Sequence, residues 1–242
     1  MLWPGVGPHN SSQLRSGSVF RETFSNEDDN GFKREGDSVS RTSDSVRRQL
    51  ERIIALGYPQ IAGMSAEAFR ALAVPLLGAL DSVDVDEEIL LVPTSELVSP
   101  DSLIARTSIG RNVGFSTMPP RDIESFAATD TLPEGPFYVV IDPHTGSAYK
   151  NREPDVARKL IDADGKEPLT LEEGLALATQ HPDWLVSHQG FALTGSRSAD
   201  GRVPGIWMSQ HSPRLGSMWP TSKHTWIGNA YCTERRGVSL LA

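Results

Sequence analysis

The sequence is poor in the features that secreted and membrane proteins need. It contains a single cysteine, Cys232, so an internal disulfide is impossible and a disulfide-stapled secreted scaffold is excluded. It has no run of the roughly 20 apolar residues that a membrane-spanning helix requires. Its first residues lack the basic and apolar segments of a signal peptide. We therefore expect a cytoplasmic protein with no membrane partner.

Basic charge is also scarce. The chain has 23 Lys and Arg residues against 31 Asp and Glu residues, which gives a net charge of -8. This balance disfavours non-specific binding to nucleic acid, whose affinity rests on neutralising phosphates. A weak nucleic-acid binder would need a local basic face, and the arginines that could supply one are Arg197, Arg202, Arg214, Arg235 and Arg236. Its signature would be a loss of binding on adding salt.

The common motifs of catalysis and cofactor binding are absent from the sequence. It contains no G-x-x-x-x-G-K-[ST] loop, no G-x-G-x-x-G, no H-E-x-x-H, no paired C-x-x-C and no G-x-S-x-G. No two histidines lie at the i, i+4 or i, i+2 spacing that a metal site on one helix or strand uses. We therefore predict no cofactor and no metal site. A catalytic site would have to be assembled from distant residues.

The N-terminal part of the chain has the composition of a disordered tail. Residues 1–44 are rich in Ser, Gly, Asn, Asp and Arg, and Phe20, Phe24 and Phe32 follow no helical or strand period. Such a segment cannot bury enough apolar surface to offset the entropy lost on ordering. Phe20 and Phe24 could instead form a short linear motif. We predict a disordered tail over 1–44 and one ordered domain over 45–242.

Apolar periodicity predicts helices at the start of the ordered part. Apolar residues recur at helical spacing over 46–54, where Asp44 or Ser45 could cap the helix. Ser65 is typical of an N-cap and predicts the start of a second helix. Pro75 lies within this second helix and should kink or split it.

Strand patterns dominate the later part of the chain. A helix is predicted from Pro154 to Ala163, and a capping box, Thr170 with Glu173, predicts the start of another. β-branched and aromatic runs, bounded by turn residues, predict strands over 88–92, 137–141, 147–149, 191–194, 203–208 and 224–228. Helices first and mostly antiparallel strands later indicate an α+β fold. We expect N-terminal helices packed on a mainly antiparallel C-terminal sheet.

Ser196 and Arg197 are the candidate ligand-binding pair. They directly follow a predicted strand and Gly195. An Arg guanidinium and a Ser hydroxyl at a strand end could hold the phosphate or carboxylate of a small anionic ligand. Alternatively, Arg197 pairs with an acidic residue and braces the loop.

His224 and Asp142 are the candidate acid–base residues. His224 lies in a predicted strand, and Asp142 lies on the turn after a strongly predicted strand. Cys232, His224 and either Asp142 or Asp183 could form a nucleophile, base and orienting acid. The alternatives are a buried, inert cysteine and an aspartate that serves only the turn.

Tryptophans cluster in the C-terminal third. Trp184, Trp207, Trp219 and Trp226 could stack on a ligand or a nucleobase, and Trp226, beside His224, is the candidate ligand-binding residue. They could equally build the core, because large aromatic side chains dominate core burial.

Four segments together resemble a known family. They are RQLERIIALGYP (48–59), PLTLEEG (168–174), LTGSR (193–197) and HTWIG (224–228). The chain thereby resembles an actinobacterial family of uncharacterised proteins, a domain of unknown function, over roughly residues 45–236. The resemblance implies an intracellular bacterial protein that acts as one unit, and it implies no activity.

Three functions stay open on the sequence alone. The first is a binding or interaction protein without catalysis, whose partner is a small anionic ligand or a protein. The second is an enzyme whose anionic substrate is held by Arg197 and Ser196, with His224 or Asp142 as acid or base. It requires these side chains to meet in one pocket. The third is the weak nucleic-acid binder.

Overall fold

The computed structural model describes residues 40–241, and residues 1–39 of the tail predicted over 1–44 lie outside them. Within 40–241 the chain forms eight α-helices: α1 (Arg41–Ala55), α2 (Tyr58–Ile61), α3 (Ala66–Leu80), α4 (Pro100–Ile104), α5 (Pro120–Glu124), α6 (Pro154–Ala163), α7 (Leu171–Gln180) and α8 (Val238–Leu241). Two 3-10 helices cover Ser147–Tyr149 and Pro182–Trp184. No helix in this range is long and apolar enough to cross a bilayer.

Strands follow from the middle of the chain onward. The described residues contain fourteen: β1 (Ile89–Pro93), β2 (Ser108–Ile109), β3 (Asn112–Val113), β4 (Phe115–Ser116), β5 (Ala127–Ala128), β6 (Phe137–Ile141), β7 (Glu167–Pro168), β8 (Gly190–Ala192), β9 (Ser196–Arg197), β10 (Val203–Ser209), β11 (Ser212–Met218), β12 (Ile227–Asn229), β13 (Tyr231–Cys232) and β14 (Glu234–Arg236).

These strands form two larger sheets. The three-stranded sheet has the order β1–β6–β14, and both of its pairs are antiparallel. The five-stranded sheet has the order β12–β8–β10–β11–β4, in which β12–β8 and β11–β4 are parallel. Three antiparallel pairs stand apart, β13–β7, β2–β3 and β5–β9. The predicted α+β class with a mainly antiparallel sheet is confirmed.

The N-terminal helices contact the three-stranded sheet. Gln49 of α1 reaches the edge strand β1, where its Nε2 donates to the carbonyl of Ile89 at 2.6 Å and its Oε1 accepts from the amide of Leu91 at 2.8 Å. The side-chain amide thus takes the place of a neighbouring strand. On α3, the ring of Phe69 meets Phe137 of β6 edge to face, with centroids 5.3 Å apart.

Helix α1 begins earlier than the sequence predicts. Ser40 is the N-cap, and its Oγ accepts a hydrogen bond from the amide of Ser43 at 3.1 Å. The same hydroxyl donates to the carbonyl of Leu80, at the end of α3, at 2.7 Å. The predicted cap at Asp44 or Ser45 and the tail boundary at residue 44 are therefore wrong. The polar run is ordered because its hydroxyls find partners far along the chain.

Helix α3 confirms one prediction and corrects another. Ser65 is its N-cap, as predicted. Pro75 lies inside one continuous helix, so the predicted split is wrong. Leu76, Leu77 and Leu80 are buried beside it. Burying each leucine contributes about 1.5–3 kcal/mol, which together exceeds the roughly 3 kcal/mol that an interior proline costs.

Two segments predicted as strands take other conformations. Residues 147–149 form a 3-10 helix, because Gly146 turns the chain at a φ of 72° and its carbonyl accepts from the amide of Tyr149. Strand β12 begins only at Ile227. The carbonyl of His224 accepts from the amide of Asn151, so His224 pairs with a loop and does not lie in a strand.

Helix α7 lies between the two larger sheets. It begins with the predicted capping box of Thr170 and Glu173 and contacts both β1 and β10. Residues 171–179 are all buried. The charged groups of a helix that is buried on every side need partners, and the surrounding elements must provide them.

The buried Glu173 carboxylate meets that requirement through Arg235 of β14. Arg235 donates to both Glu173 oxygens, at 2.5 and 2.9 Å, and also to Glu167 Oε2 at 2.5 Å. Tyr138 Oη and the amide of Thr170 donate to Glu173 as well, at 3.0 and 2.7 Å. Burial by itself lowers the pKa of Arg235, but the Glu173 carboxylate outweighs this effect and the pKa of Arg235 is raised. This network joins α7 to the three-stranded sheet.

Candidate functional site

The five-stranded sheet carries a cleft lined mainly by aromatic side chains, which we call the tryptophan cleft. Its volume is about 290 Å³. Its lining comes from β10, β11, β12 and the segment between the last two: Trp207, Ser217, Met218, Trp219, Ser222, His224, Trp226 and Ile227. Three of the four clustered tryptophans therefore meet here.

The aromatic rings in the tryptophan cleft are set at steep angles to each other. Trp207 and Trp226 meet edge to face, with centroids 6.3 Å apart and planes at 80°. His224 lies 6.1 Å from the Trp226 ring, at 65°. Trp219 is 57% exposed. Ring edges and faces are thus offered to solvent, where a second aromatic ring could pack against them.

Strand register places Trp207 beside two glycines. Trp207 of β10 pairs with Gly190 of β8 on one side and with Arg214 of β11 on the other. A Cβ atom on Gly190 would lie 2.6 Å from the Trp207 Cβ, and one on Gly216 would lie 2.2 Å from the indole ring. A larger residue at either position would therefore have to displace Trp207, whose six-membered ring packs against Gly216.

One arginine beside the tryptophan cleft, Arg214, has no carboxylate partner among the described residues. The Arg214 guanidinium lies over the Trp207 ring, 5.6 Å from its centroid. Arg202, which also pairs with Asp200 at 2.8 Å, donates to Ser217 Oγ at 3.2 Å. Among the described residues that line the cleft, none is a carboxylate. The cleft therefore favours a neutral or anionic ligand over a cation.

A narrower pocket, which we call the inner pocket, continues inward from the cleft. The two share Met218, Ser222, His224 and Ile227. The inner pocket adds Arg152, Pro154, Ala192 and Asn229, and it is too narrow for a water molecule. The amide of Asn229 donates to the carbonyl of Gly146 at 3.2 Å, which ties the inner pocket to the turn after β6.

Ser196 and Arg197 both have partners within the chain. The Ser196 side chain is fully buried, and its Oγ accepts from the amide of Leu171 at 2.9 Å, at the start of α7. Arg197 pairs with Asp155 and donates to the carbonyl of Gly201. Arg197 therefore has the acidic partner that the loop-bracing alternative requires.

Of the other predicted site residues, His224 and Trp226 lie together and Asp142 lies elsewhere. His224 and Trp226 both line the tryptophan cleft. Asp142 lies in a separate charged pocket, where its carboxylate accepts from Thr233 Oγ1 at 3.0 Å and approaches His144 Nε2 at 3.1 Å. The structure thus does not bring the two acid–base candidates into one pocket.

Cys232 is not placed as a nucleophile. Its side chain is fully buried, and its backbone pairs with Glu167 in the β13–β7 pair. Burial raises the pKa of the Cys232 thiol well above its usual range, and the nearby Glu173 carboxylate raises it further. The thiol therefore stays protonated and inert, as the alternative interpretation proposed.

The arginines that could have made a basic face are already engaged. Four of the five pair with carboxylates: Arg197 with Asp155, Arg202 with Asp200, Arg235 with Glu173 and Arg236 with Glu234. The fifth, Arg214, lies over Trp207. Within residues 40–241, no three His, Cys, Asp or Glu side chains are grouped as metal ligands would be.

The comparisons with known proteins identify one family. The model of a family described as a family of unknown function (DUF5701) matches residues 52–238. The chain belongs to the DUF5701 family. The predicted resemblance to a family of unknown function is thereby confirmed over these residues. Neither the curated proteins nor the solved structures contain a match to the chain.

The region shared with DUF5701 contains every residue that lines the tryptophan cleft and the inner pocket. Sequence reasoning found His224 and Trp226 and missed Arg152, Met218 and Asn229. The cluster of tryptophans was the signal for the cleft. The other three carried no comparable signal, because strands and loops bring them together.

Proposed function

We propose that this DUF5701 protein binds a small ligand through an aromatic ring held in the tryptophan cleft. The observation that carries the proposal is the meeting of Trp207, Trp219 and Trp226 in one cleft. A volume of about 290 Å³ suits one ring or a fused pair of rings. The function is therefore a binding one.

Stacking is the interaction that these residues offer. A ring packed against an indole gains roughly 0.5–1.5 kcal/mol beyond the burial of its area. Trp219 leaves more than half of its side chain in water, and a ligand would cover part of that apolar surface. A cationic ligand would meet the Arg214 guanidinium beside Trp207, so we propose a ring without positive charge.

Binding of 2-phenylethanol, a neutral ring compound, should be seen in the indole N–H signals of the full-length protein by NMR. The signals of Trp207, Trp219 and Trp226 should shift together and saturably. Trp219→Ala should weaken binding by roughly 5- to 150-fold, because stacking on an aromatic side chain contributes about 1–3 kcal/mol in alanine substitutions.

Trp184 provides the matched control for this experiment. It lies outside the cleft and stacks on His181, with centroids 4.6 Å apart. Trp184→Phe should leave the affinity unchanged. Shifts confined to the Trp184 signal, or equal affinities of Trp219→Ala and the original protein, would refute the proposal. If a peptide shifted the tryptophan signals of the cleft and 2-phenylethanol did not, the ligand would be a protein partner and the small-ligand proposal would be wrong.

We also propose that the protein works in the cytoplasm of a bacterium, in the actinobacterial group that the sequence resembles. The single buried cysteine supports this location, because secreted folds commonly use paired cysteines. Cell fractionation of the source organism should recover the protein with cytoplasmic markers. Recovery from the culture medium would contradict it.

A further inference from the structure

The inner pocket holds a buried polar group without a partner. Asn229 is 1% exposed, and its Nδ2 donates to the carbonyl of Tyr149 at 3.0 Å. A carbonyl oxygen only accepts, so this contact fixes which end of the amide is nitrogen. The other end, Oδ1, is an acceptor with no partner among the described residues. Buried acceptors are nearly always satisfied, so this one indicates a missing donor.

Arg152 adds a positive charge to the same pocket. Arg152 is an exposed residue that lines the inner pocket, and its side chain makes no hydrogen bond or ion pair with any described residue. The carboxylate next to it in the chain, Glu153, is occupied by Lys223 at 3.5 Å. The guanidinium is therefore available to pair with a carboxylate from a ligand.

We propose that the ligand is an aromatic acid with a donor group next to its carboxylate, that is, an aromatic α-hydroxy or α-amino acid. Its ring lies in the tryptophan cleft, its O–H or N–H donates to Asn229 Oδ1, and its carboxylate pairs with Arg152. This assignment rests on the proposed function, because it adds polar groups to a ligand whose aromatic ring is bound in the tryptophan cleft. It names the chemistry of the second half of the site.

Met218 is one of four residues that line both the tryptophan cleft and the inner pocket; the others are Ser222, His224 and Ile227. The inner pocket is closed to water in this conformation, so entry of the polar head of the ligand requires one of these side chains to move, and Met218 has the most rotatable bonds of the four. An unbranched thioether side chain makes such a change readily.

Four matched probes test the assignment on the full-length protein by NMR titration. Phenyllactate and phenylalanine carry the ring, the donor and the carboxylate. 3-Phenylpropionate lacks the donor, and 2-phenylethanol lacks the carboxylate. We expect phenyllactate or phenylalanine to bind roughly tenfold or more tightly than either deletion probe, because hydrogen bonds to charged groups and satisfied buried acceptors have effects of this size. Whichever of phenyllactate and phenylalanine binds more tightly shows whether the ligand is a hydroxy acid or an amino acid.

Phenyllactate carries the carboxylate that 2-phenylethanol lacks. Arg152→Gln should lower the affinity for phenyllactate to that for 2-phenylethanol, and the affinity for 2-phenylethanol should stay unchanged. Arg48→Gln, an exposed arginine of α1, is the matched control and should change neither. Asn229→Leu should abolish the difference between phenyllactate and 3-phenylpropionate. If Asn229→Leu does not fold, the comparison of these two probes on the original protein decides the same point.

The outcomes separate this inference from the proposed function. If all four probes bind equally and shift the cleft tryptophan signals, the ring is bound there and the assignment of the inner pocket is wrong. If none of them shifts these signals, both proposals fail. If Arg152→Gln weakens binding of all probes alike, Arg152 acts on the structure and the assignment is also wrong.

Discussion

Replacing Glu173 by Gln should lower the free energy of unfolding by about 3–5 kcal/mol. The substitution keeps the shape of the side chain but removes the charge that faces Arg235, whose side chain is 4% exposed. After the substitution, Arg235 keeps only the partly exposed Glu167 as a carboxylate partner. Breaking a buried pair by removing one partner leaves much of the other charge uncompensated, which is the cause of this large cost. Urea unfolding followed by circular dichroism measures it.

A surface ion pair provides the control for this substitution. Arg70 donates to both carboxylate oxygens of Glu51, at 2.7 and 2.8 Å, yet both side chains are about half exposed. Glu51→Gln should therefore cost less than about 1 kcal/mol. Equal costs at Glu51 and Glu173 would show that the buried network contributes nothing beyond an exposed pair.

Replacing Arg235 and Glu173 together tests the cause directly. Arg235→Met alone should be as costly as Glu173→Gln, because it leaves a buried carboxylate. The double variant Glu173→Gln, Arg235→Met should recover much of the loss, since neither member of this buried pair is then charged. If the double variant were as unstable as the sum of the single ones, lost packing would be the explanation.

Replacing Gly146 by Ala should be the second large effect. Gly146 has a φ of 72°, in the left-handed region, and a Cβ there would lie 1.7 Å from the backbone oxygen of Asn229. The left-handed conformation costs an alanine about 1–2 kcal/mol, and forced displacement of packed atoms adds about 1–3 kcal/mol. We expect a loss of about 2–5 kcal/mol in the free energy of unfolding.

Gly165→Ala is the control that separates the conformational cost from the cost of displacing packed atoms. The φ of Gly165, 67°, is nearly the same, and a Cβ on it would meet nothing within 4 Å. Gly165→Ala should therefore show only the conformational cost of about 1–2 kcal/mol. Since Gly146→Ala pushes on Asn229, it should also reduce the preference for phenyllactate over 3-phenylpropionate. Identical stabilities of the two variants would mean that the close approach to Asn229 is unimportant.

Local signals made much of the fold predictable. Ser65 caps α3 and Thr170 forms the capping box of α7 because each interaction lies within four residues of its partner. Strand β6 occupies the predicted residues 137–141, since β-branched and aromatic residues suit a buried strand. The α+β class followed from the order of these elements along the chain.

Contacts between distant residues decided the rest of the fold. Ser40 caps α1 and also bonds Leu80, forty residues away, which no local pattern reveals. Helix α3 continues through Pro75 because leucines beside it are buried against other elements. Residues 147–149 turn into a 3-10 helix where Gly146 meets β12.

In the candidate site, too, part of the arrangement was predictable from the sequence and part depended on contacts between distant residues. The sequence by itself determined that tryptophans and His224 are concentrated near the C-terminus, and that Asp142 follows strand β6. It placed Ser196 and Arg197 after a strand, whereas they form strand β9. The tertiary structure decided which of them meet. The Trp207 ring packs against Gly216, and Arg197 forms an ion pair with Asp155. The Tyr149 carbonyl accepts from Asn229 Nδ2, and Asn229 Oδ1 has no partner among the described residues. Spacing along a chain specifies helices, turns and caps, whereas a binding site depends on which surfaces come together when those elements pack.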